Sequence, residues 1–295
     1  VYIQQKKGTF TKYKVPVFED DEFYEDLGIQ IFDADNDGDQ DIYIASGGNE
    51  FEEGSKGYED RFYENKGNMI FERNRTAIPN TRISGLEVSI NDFDQDGDID
   101  LFVGGRLSPK KYPYPSSSRI LENKSTSDSV KFIDVTDQKI SKLKDIGLVT
   151  TSVWIDIDGD SWEDLILSGE WMTARFFKNN QGKKFTEITD KVFTDNERGW
   201  WYDIEKGDFD NDGDMDLILG NLGLNYKYQA SKENPFRVYL NDFDKNKTYD
   251  IVLSYKYDNT EYPVRGRECS SQQMPAIKKK SVSYTHLTLP TMFEV

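Results

Sequence analysis

Five nine-residue windows limit what this chain can fold into more than any other feature. They are 33–41 (DADNDGDQD), 92–100 (DFDQDGDID), 156–164 (DIDGDSWED), 208–216 (DFDNDGDMD) and 242–250 (DFDKNKTYD). Together they hold 23 acids and two lysines, a charge of −21 against −17 for all 295 residues, so the other 250 residues sum to +4. A solvated acidic surface would scatter its charge, and this chain concentrates it. Four or five carboxylates within nine residues repel one another unless a cation sits among them.

The shared pattern is D-x-D-x-D-G-x-x-D. Oxygens at positions 1, 3 and 5 converge when the backbone curls, Gly at position 6 permits the sharp turn, position 7 offers its carbonyl, and the Asp at position 9 closes the shell. An all-oxygen set in a flexible loop favours Ca²⁺ over transition metals, and over Mg²⁺ with its strict octahedral demand. The candidate ligands are Asp33, Asp35, Asp37, Asp39 and Asp41 in the first loop and Asp92, Asp94, Asp96, Asp98 and Asp100 in the second. The third offers Asp156, Asp158, Asp160, Trp162 and Asp164, and the fourth Asp208, Asp210, Asp212, Asp214 and Asp216. The fifth offers Asp242, Asp244, Asn246, Thr248 and Asp250. Ser161 and Lys247 replace Gly at position 6, so the count of occupied sites is expected to lie between three and five, with the fifth loop the weakest.

An EF-hand begins the same way but needs a Glu at position 12 and flanking helices. Position 12 here is Ile44, Val103, Leu167, Leu219 and Leu253, and short apolar runs flank each loop, which reads as strand, loop, strand. A second phrase recurs: Tyr63-Glu64-Asn65-Lys66-Gly67 leads to Phe71, Leu121-Glu122-Asn123 to Phe132, Phe177-Lys178-Asn179-Asn180 to Phe185, and Tyr2-Ile3-Gln4 to Phe10. Each is a hairpin whose return strand opens on an aromatic residue. The acidic loops start at 33, 92, 156, 208 and 242, and repeats of this length with four short strands each predict an all-β chain of the β-propeller class. The short last step predicts a loop in place of the outer hairpin between Asn221 and Asn234. No convincing amphipathic helix is expected; the best candidate lies around 138–145.

Composition excludes several functions. The acidic balance rules out nucleic-acid binding by a general basic surface, and no apolar run is long enough for a membrane span. One Cys and one His exclude a disulfide framework and a Cys/His zinc cluster.

The loops, the apolar strand after each, and the Y-x-N-x-G…F hairpins resemble the FG-GAP/VCBS repeat family of β-propellers. The stretches SGLEVSINDFDQDGDIDLFVGGR (84–106), GDFDNDGDMDLILGNLGLN (207–225) and KENPFRVYLNDFD (232–244) resemble more narrowly the bacterial VCBS proteins related to cartilage acidic protein and associated with ASPIC/UnbV domains. The resemblance spans residues 1 to about 280. It implies a Ca²⁺-bearing, commonly seven-bladed propeller, of which four to five blades are present, in an exported protein of the cell envelope or exterior. It implies no particular ligand.

Both ends are expected to be cut: the chain opens inside a hairpin, and residues 281–295 have no counterpart in the repeats. VSYTHLTLPT (282–291) back-translates to a transposase sequencing adapter, so the tail with its single His286 is expected to be foreign and to add nothing to the fold. Trp200, Trp201 and Tyr202 are read as blade-to-blade packing rather than a sugar-stacking platform. Tyr112-Pro113-Tyr114-Pro115 is read as an inter-strand excursion, and Cys269 as an inert thiol. The functional expectation is a non-enzymatic module for protein or glycan binding or adhesion. Its rivals are a polysaccharide lyase or hydrolase on the same scaffold, and a purely structural spacer.

Overall fold

The computed structural model describes residues 1–193, 198–223 and 226–280. The predicted tail, with His286, lies outside the described residues. The chain divides into two compact units, one of residues 1–109 and 114–221, the other of residues 110–113 and 222–295.

The first unit opens with the hairpin β1 (Tyr2–Gln4) and β2 (Phe10–Lys12), followed by a one-turn helix α1 (Pro16–Asp20). Three four-stranded antiparallel meanders come next. The first sheet is β3 (Asp26–Phe32), β4 (Asp41–Ser46), β5 (Arg61–Asn65) and β6 (Phe71–Arg73). The second is β7 (Ser84–Asn91), β8 (Asp100–Leu107), β9 (Arg119–Asn123) and β10 (Phe132–Asp134), with α2 (Thr136–Ile140) after it. The third is β11 (Leu148–Ile155), β12 (Asp164–Met172), β13 (Arg175–Asn179) and β14 (Phe185–Glu187), followed by α3 (Thr189–Val192). A further hairpin, β15 (Gly199–Gly207) and β16 (Asp216–Asn221), joins the third sheet where Glu170 pairs with Trp200 and Met172 with Gly199. Every acidic window in this unit is the turn between the first and second strands of a sheet.

After its leading Asp, the second strand of each meander runs through three apolar residues because both of its faces are covered there. Leu101, Phe102 and Val103 of β8 and Leu165, Ile166 and Leu167 of β12 are all buried. The cores lie between consecutive sheets. Phe32, Tyr43 and Phe62 of the first sheet pack with Val88, Leu101, Leu121 and Phe132 of the second. Phe102 and Ile120 pack with Trp154, Leu165, Phe177 and Phe185 of the third. Ile155, Ile166 and Phe176 pack with Ile204, Leu217 and Leu219 of β15 and β16. The aromatics that open the second and third return strands reach back to the preceding sheet: Phe132 lies 6.1 Å from Phe32 and 5.9 Å from Phe62, and Phe185 lies 5.8 Å from Phe93. Backbone closeness permits this packing. A Cβ on Gly28 would meet the Leu86 carbonyl of the next sheet at 2.2 Å.

One regularity was not foreseen. Each first strand carries an extra, unpaired residue six positions before its acidic loop: Leu27, Leu86, Thr150 and Tyr202. Such bulges bend a strand and raise its twist.

The second unit is a three-stranded antiparallel sheet of β17 (Arg237–Asn241), β18 (Asp250–Tyr257) and β19 (Thr260–Pro263), with helices α4 (Arg267–Gln273) and α5 (Ile277–Lys280). Its core joins Val252, Met274 and Ile277, with Tyr239 and Phe243 against them. The described residues between Asn221 and Asn234 hold no strand, as the short last repeat predicted. Helix α4 was unexpected; seven residues, RECSSQQ, are too few to show a helical period. The stretch 138–145, the best helix candidate in the sequence, is two short pieces, α2 and a 3₁₀ turn at Ser141–Leu143.

Candidate metal centres

In all five loops the first Asp folds back on its own backbone. Its Oδ2 accepts the position-6 N–H: Gly38 at 2.9 Å, Gly97 at 3.0 Å, Ser161 at 2.8 Å, Gly213 at 3.2 Å and Lys247 at 2.8 Å. Its Oδ1 accepts the position-5 N–H, as in Asp37 to Asp33 at 3.2 Å and Asp96 to Asp92 at 3.1 Å. The position-5 side chain in turn accepts the N–H of position 7, contributed by Asp39, Asp98, Trp162, Asp214 and Thr248. This curl needs a left-handed backbone at position 6, with φ from 94° to 98° at Gly38, Gly97 and Gly213. Ser161 and Lys247 adopt it too, at 70° and 72°, against their side-chain preference. Position 4 is also left-handed, at Asn36, Gln95, Gly159, Asn211 and Lys245, a requirement the D-x-D-x-D pattern conceals.

The curl brings carboxylates together. Ligand atoms of Asp33, Asp35 and Asp37 lie within 4.8 Å of one another, as do those of Asp92, Asp94 and Asp96. The same holds for Asp156, Asp158 and Asp164, for Asp208, Asp210 and Asp216, and for Asp242, Asp244 and Asp250. Of the position-5 and position-9 carboxylates, Asp41, Asp100, Asp160 and Asp212 fall outside these triads. Asp35 Oδ1 and Asp94 Oδ1 are buried without a hydrogen-bond partner, a cost that a bound cation would remove. With oxygen donors only, the residues fit a hard divalent cation.

Electrostatics point the same way. Burial, and then the neighbouring Asp94 and Asp96, push Asp100 up to about 8 against two backbone donors that pull it down. Burial likewise raises Asp41 and Asp164 to about 6, and raises Asp35 and Asp94 with help from adjacent carboxylates. Ionised together, these groups need a positive charge between them.

The position-9 Asp also ties the sheet together. Its Oδ2 accepts the position-2 N–H of its own loop, at 3.0–3.2 Å in all five. Its Oδ1 accepts the backbone N–H of the hairpin Asn: Asn65 to Asp41 at 2.8 Å, Asn123 to Asp100 at 2.7 Å and Asn179 to Asp164 at 2.7 Å. In the fifth loop Gln273 Nε2 from α4 takes that place on Asp250, at 3.2 Å. The Asn side chains then cross to the preceding sheet, with Asn123 Nδ2 donating to the Ala34 carbonyl at 2.9 Å and Asn179 Nδ2 to the Phe93 carbonyl at 2.8 Å. Consecutive loops are linked as well: Asn36 Nδ2 donates to Asp98 Oδ1 at 2.7 Å, and Gln95 Nε2 to the Ser161 carbonyl at 2.7 Å. The Asp98 carboxylate therefore serves its neighbour. The recurring Asn of the hairpin phrase was the available sequence signal, but as turn punctuation it hid these roles.

The other residues singled out by sequence fall elsewhere. Trp200 and Trp201 are half-buried, and Trp200 stands edge-on to Trp171 at 5.1 Å. Tyr202 is the bulged residue of β15, is 46% exposed, and donates its OH to Glu170 Oε1 of β12 at 3.3 Å. Tyr114 is exposed, and Cys269 is an exposed free thiol on α4.

Two stretches, residues 33–103 and 156–219, match the FG-GAP-like repeat, and both lie in the first unit. No curated protein matches the chain. Among the described residues no helix is long and apolar enough to cross a membrane.

Proposed function

We propose that this chain is part of a Ca²⁺-stabilised β-propeller, and that the propeller is a non-enzymatic module binding a protein or glycan ligand at the exterior of a bacterial cell. The observation that carries the reading is the recurrence of one acidic curl, with its convergent carboxylates and orphaned Asp35 and Asp94 oxygens, between the first two strands of successive sheets. Its affinity to bacterial VCBS proteins associated with ASPIC/UnbV domains rests on the stretches 84–106, 207–225 and 232–244. In this reading Ca²⁺ has a structural task. It fixes the turns from which the strands run and, at two charges per ion, offsets up to ten of the 21 net negative charges held in the windows.

The test is an array of glycans and extracellular proteins probed with the chain in Ca²⁺ and in EGTA. Saturable binding that disappears in EGTA, with no turnover of the bound glycan, supports the reading. Hydrolysis or elimination of a glycan would overturn the non-enzymatic assignment.

A further inference from the structure

The third acidic loop differs from the first two in what faces it. The hairpin residue just before the recurring Asn is Glu64 in the first sheet and Glu122 in the second, and Lys178 in the third. Strand register makes these positions equivalent. Tyr63 pairs with Ile42, Leu121 with Leu101 and Phe177 with Leu165, in each case the residue directly after the position-9 Asp. Glu64 adds negative potential at Asp35, and Glu122 does so at Asp94.

Lys178 does the reverse. Its Nζ lies 2.9 Å from Asp160 Oδ2 and also bonds Asp158 Oδ2, so it bridges positions 3 and 5 of the loop. Lysines near the other two loops are spent differently. Lys66 pairs with Glu64, and Lys124 lies 2.6 Å from Glu122 and donates to one loop carboxylate, Asp96 Oδ2, at 3.3 Å, where Lys178 holds two. The orphaned buried carboxylate oxygens occur at Asp35 and Asp94, not at Asp158.

We infer that the Lys178 ammonium is the resident cation of the third loop, so that this loop discriminates against Ca²⁺ while the loops at 33–41 and 92–100 accept it. The inference rests on the metal-binding reading above and refines it. An ammonium on two carboxylates supplies one positive charge, and N–H donors to the oxygens that a divalent ion would otherwise bind, without any change in the curl. Metal can enter only by displacing those bonds, which lowers apparent affinity on the order of tenfold or more.

The third loop carries its own reporter. Trp162 is at position 7, and the other four acidic windows contain no Trp. Terbium is a hard trivalent probe for Ca²⁺ loops, and its emission excited through tryptophan reports occupancy beside Trp162. Because Trp162 also stands close to Asp94 of the second loop, every protein in the luminescence titration carries Asp92→Ala, and loss of the remaining emission on adding Trp162→Phe assigns it to the third loop. Terbium is titrated into this background with wild-type Lys178, Lys178→Met and, as a second substitution, Lys178→Gln, with folding checked by circular dichroism. The expected result is a signal that saturates at least about tenfold earlier in both variants than in the wild type, together with one additional Ca²⁺ bound per chain by calorimetry. Equal terbium affinity in wild type and both variants, whether tight or absent, overturns the inference. Failure of the wild-type chain to bind Ca²⁺ at any loop overturns the underlying metal reading instead, so the two failures are told apart by the calorimetric count.

Discussion

Asn179 shows how much one side chain does here. It is fully buried; its Nδ2 donates to the Phe93 and Glu163 carbonyls, its Oδ1 accepts from Gly182, and its backbone N–H holds Asp164. Asn179→Ala strands two carbonyls and an N–H, so thermal or urea unfolding should show a loss of about 2–3 kcal/mol, and a loss below about 0.5 kcal/mol would contradict the stapling role. Glu187 sets an acid limit. Burial raises its pKa, but bonds from Arg175 and Lys142, each at 2.6 Å, outweigh that and hold it at about 2, below its usual 4.5. The folded state thus binds this proton more weakly than the unfolded chain does. The resulting stability is fully present above about pH 4.5 and is lost as the pH falls through 2. Chelated Glu187→Gln should lose less stability than chelated wild type over that window. A parallel decline in the two proteins would refute the linkage. Sequence could not show either role, because Asn in a turn and Glu beside a return strand are ordinary residues until their partners are known.

At the scale of elements, each acidic loop was legible as a unit and its quality was legible in part. Gly at position 6 announced the left-handed turn, and its replacement by Ser161 and Lys247 marked two strained loops. Ser161→Gly and Lys247→Gly should each stabilise the metal-free chain by about 1 kcal/mol, measured by denaturant unfolding, and destabilisation would show that the side chains earn their place. The loops should also differ in affinity: by calorimetry Asp92→Ala should remove a tighter site than Asp242→Ala, since Lys245 and Lys247 adjoin the latter and Asn246 replaces a carboxylate. Equal losses would refute that order. What the sequence concealed were the connections between elements. Arg119 of β9 pairs with Asp60 at 2.7 Å, and Asp60 also accepts from Tyr43 and from the Ser46 N–H, all buried between the first two sheets. Nothing local in the sequence relates residues 60 and 119. The repeated bulge escaped for the same reason, since its residues, Leu27, Leu86, Thr150 and Tyr202, are of three chemically different types.

For the whole molecule, the strand-loop-strand rhythm was plain because each sheet restates the same alternation of apolar run and acidic turn. The division into two units and helices α4 and α5 were not, because 267–280, which reads in sequence as part of the repeats, is too short to show a helical period of its own. The central claim is that these sheets hold their turns through Ca²⁺. Binding to the native state alone adds about 2.7 kcal/mol per site at a hundredfold excess over Kd. The direct measurement is differential scanning calorimetry of the chain at neutral pH in millimolar Ca²⁺ and in excess EGTA. The account predicts a melting temperature lower by many degrees in EGTA, restored when Ca²⁺ is returned. Superimposable transitions under the two conditions would contradict it.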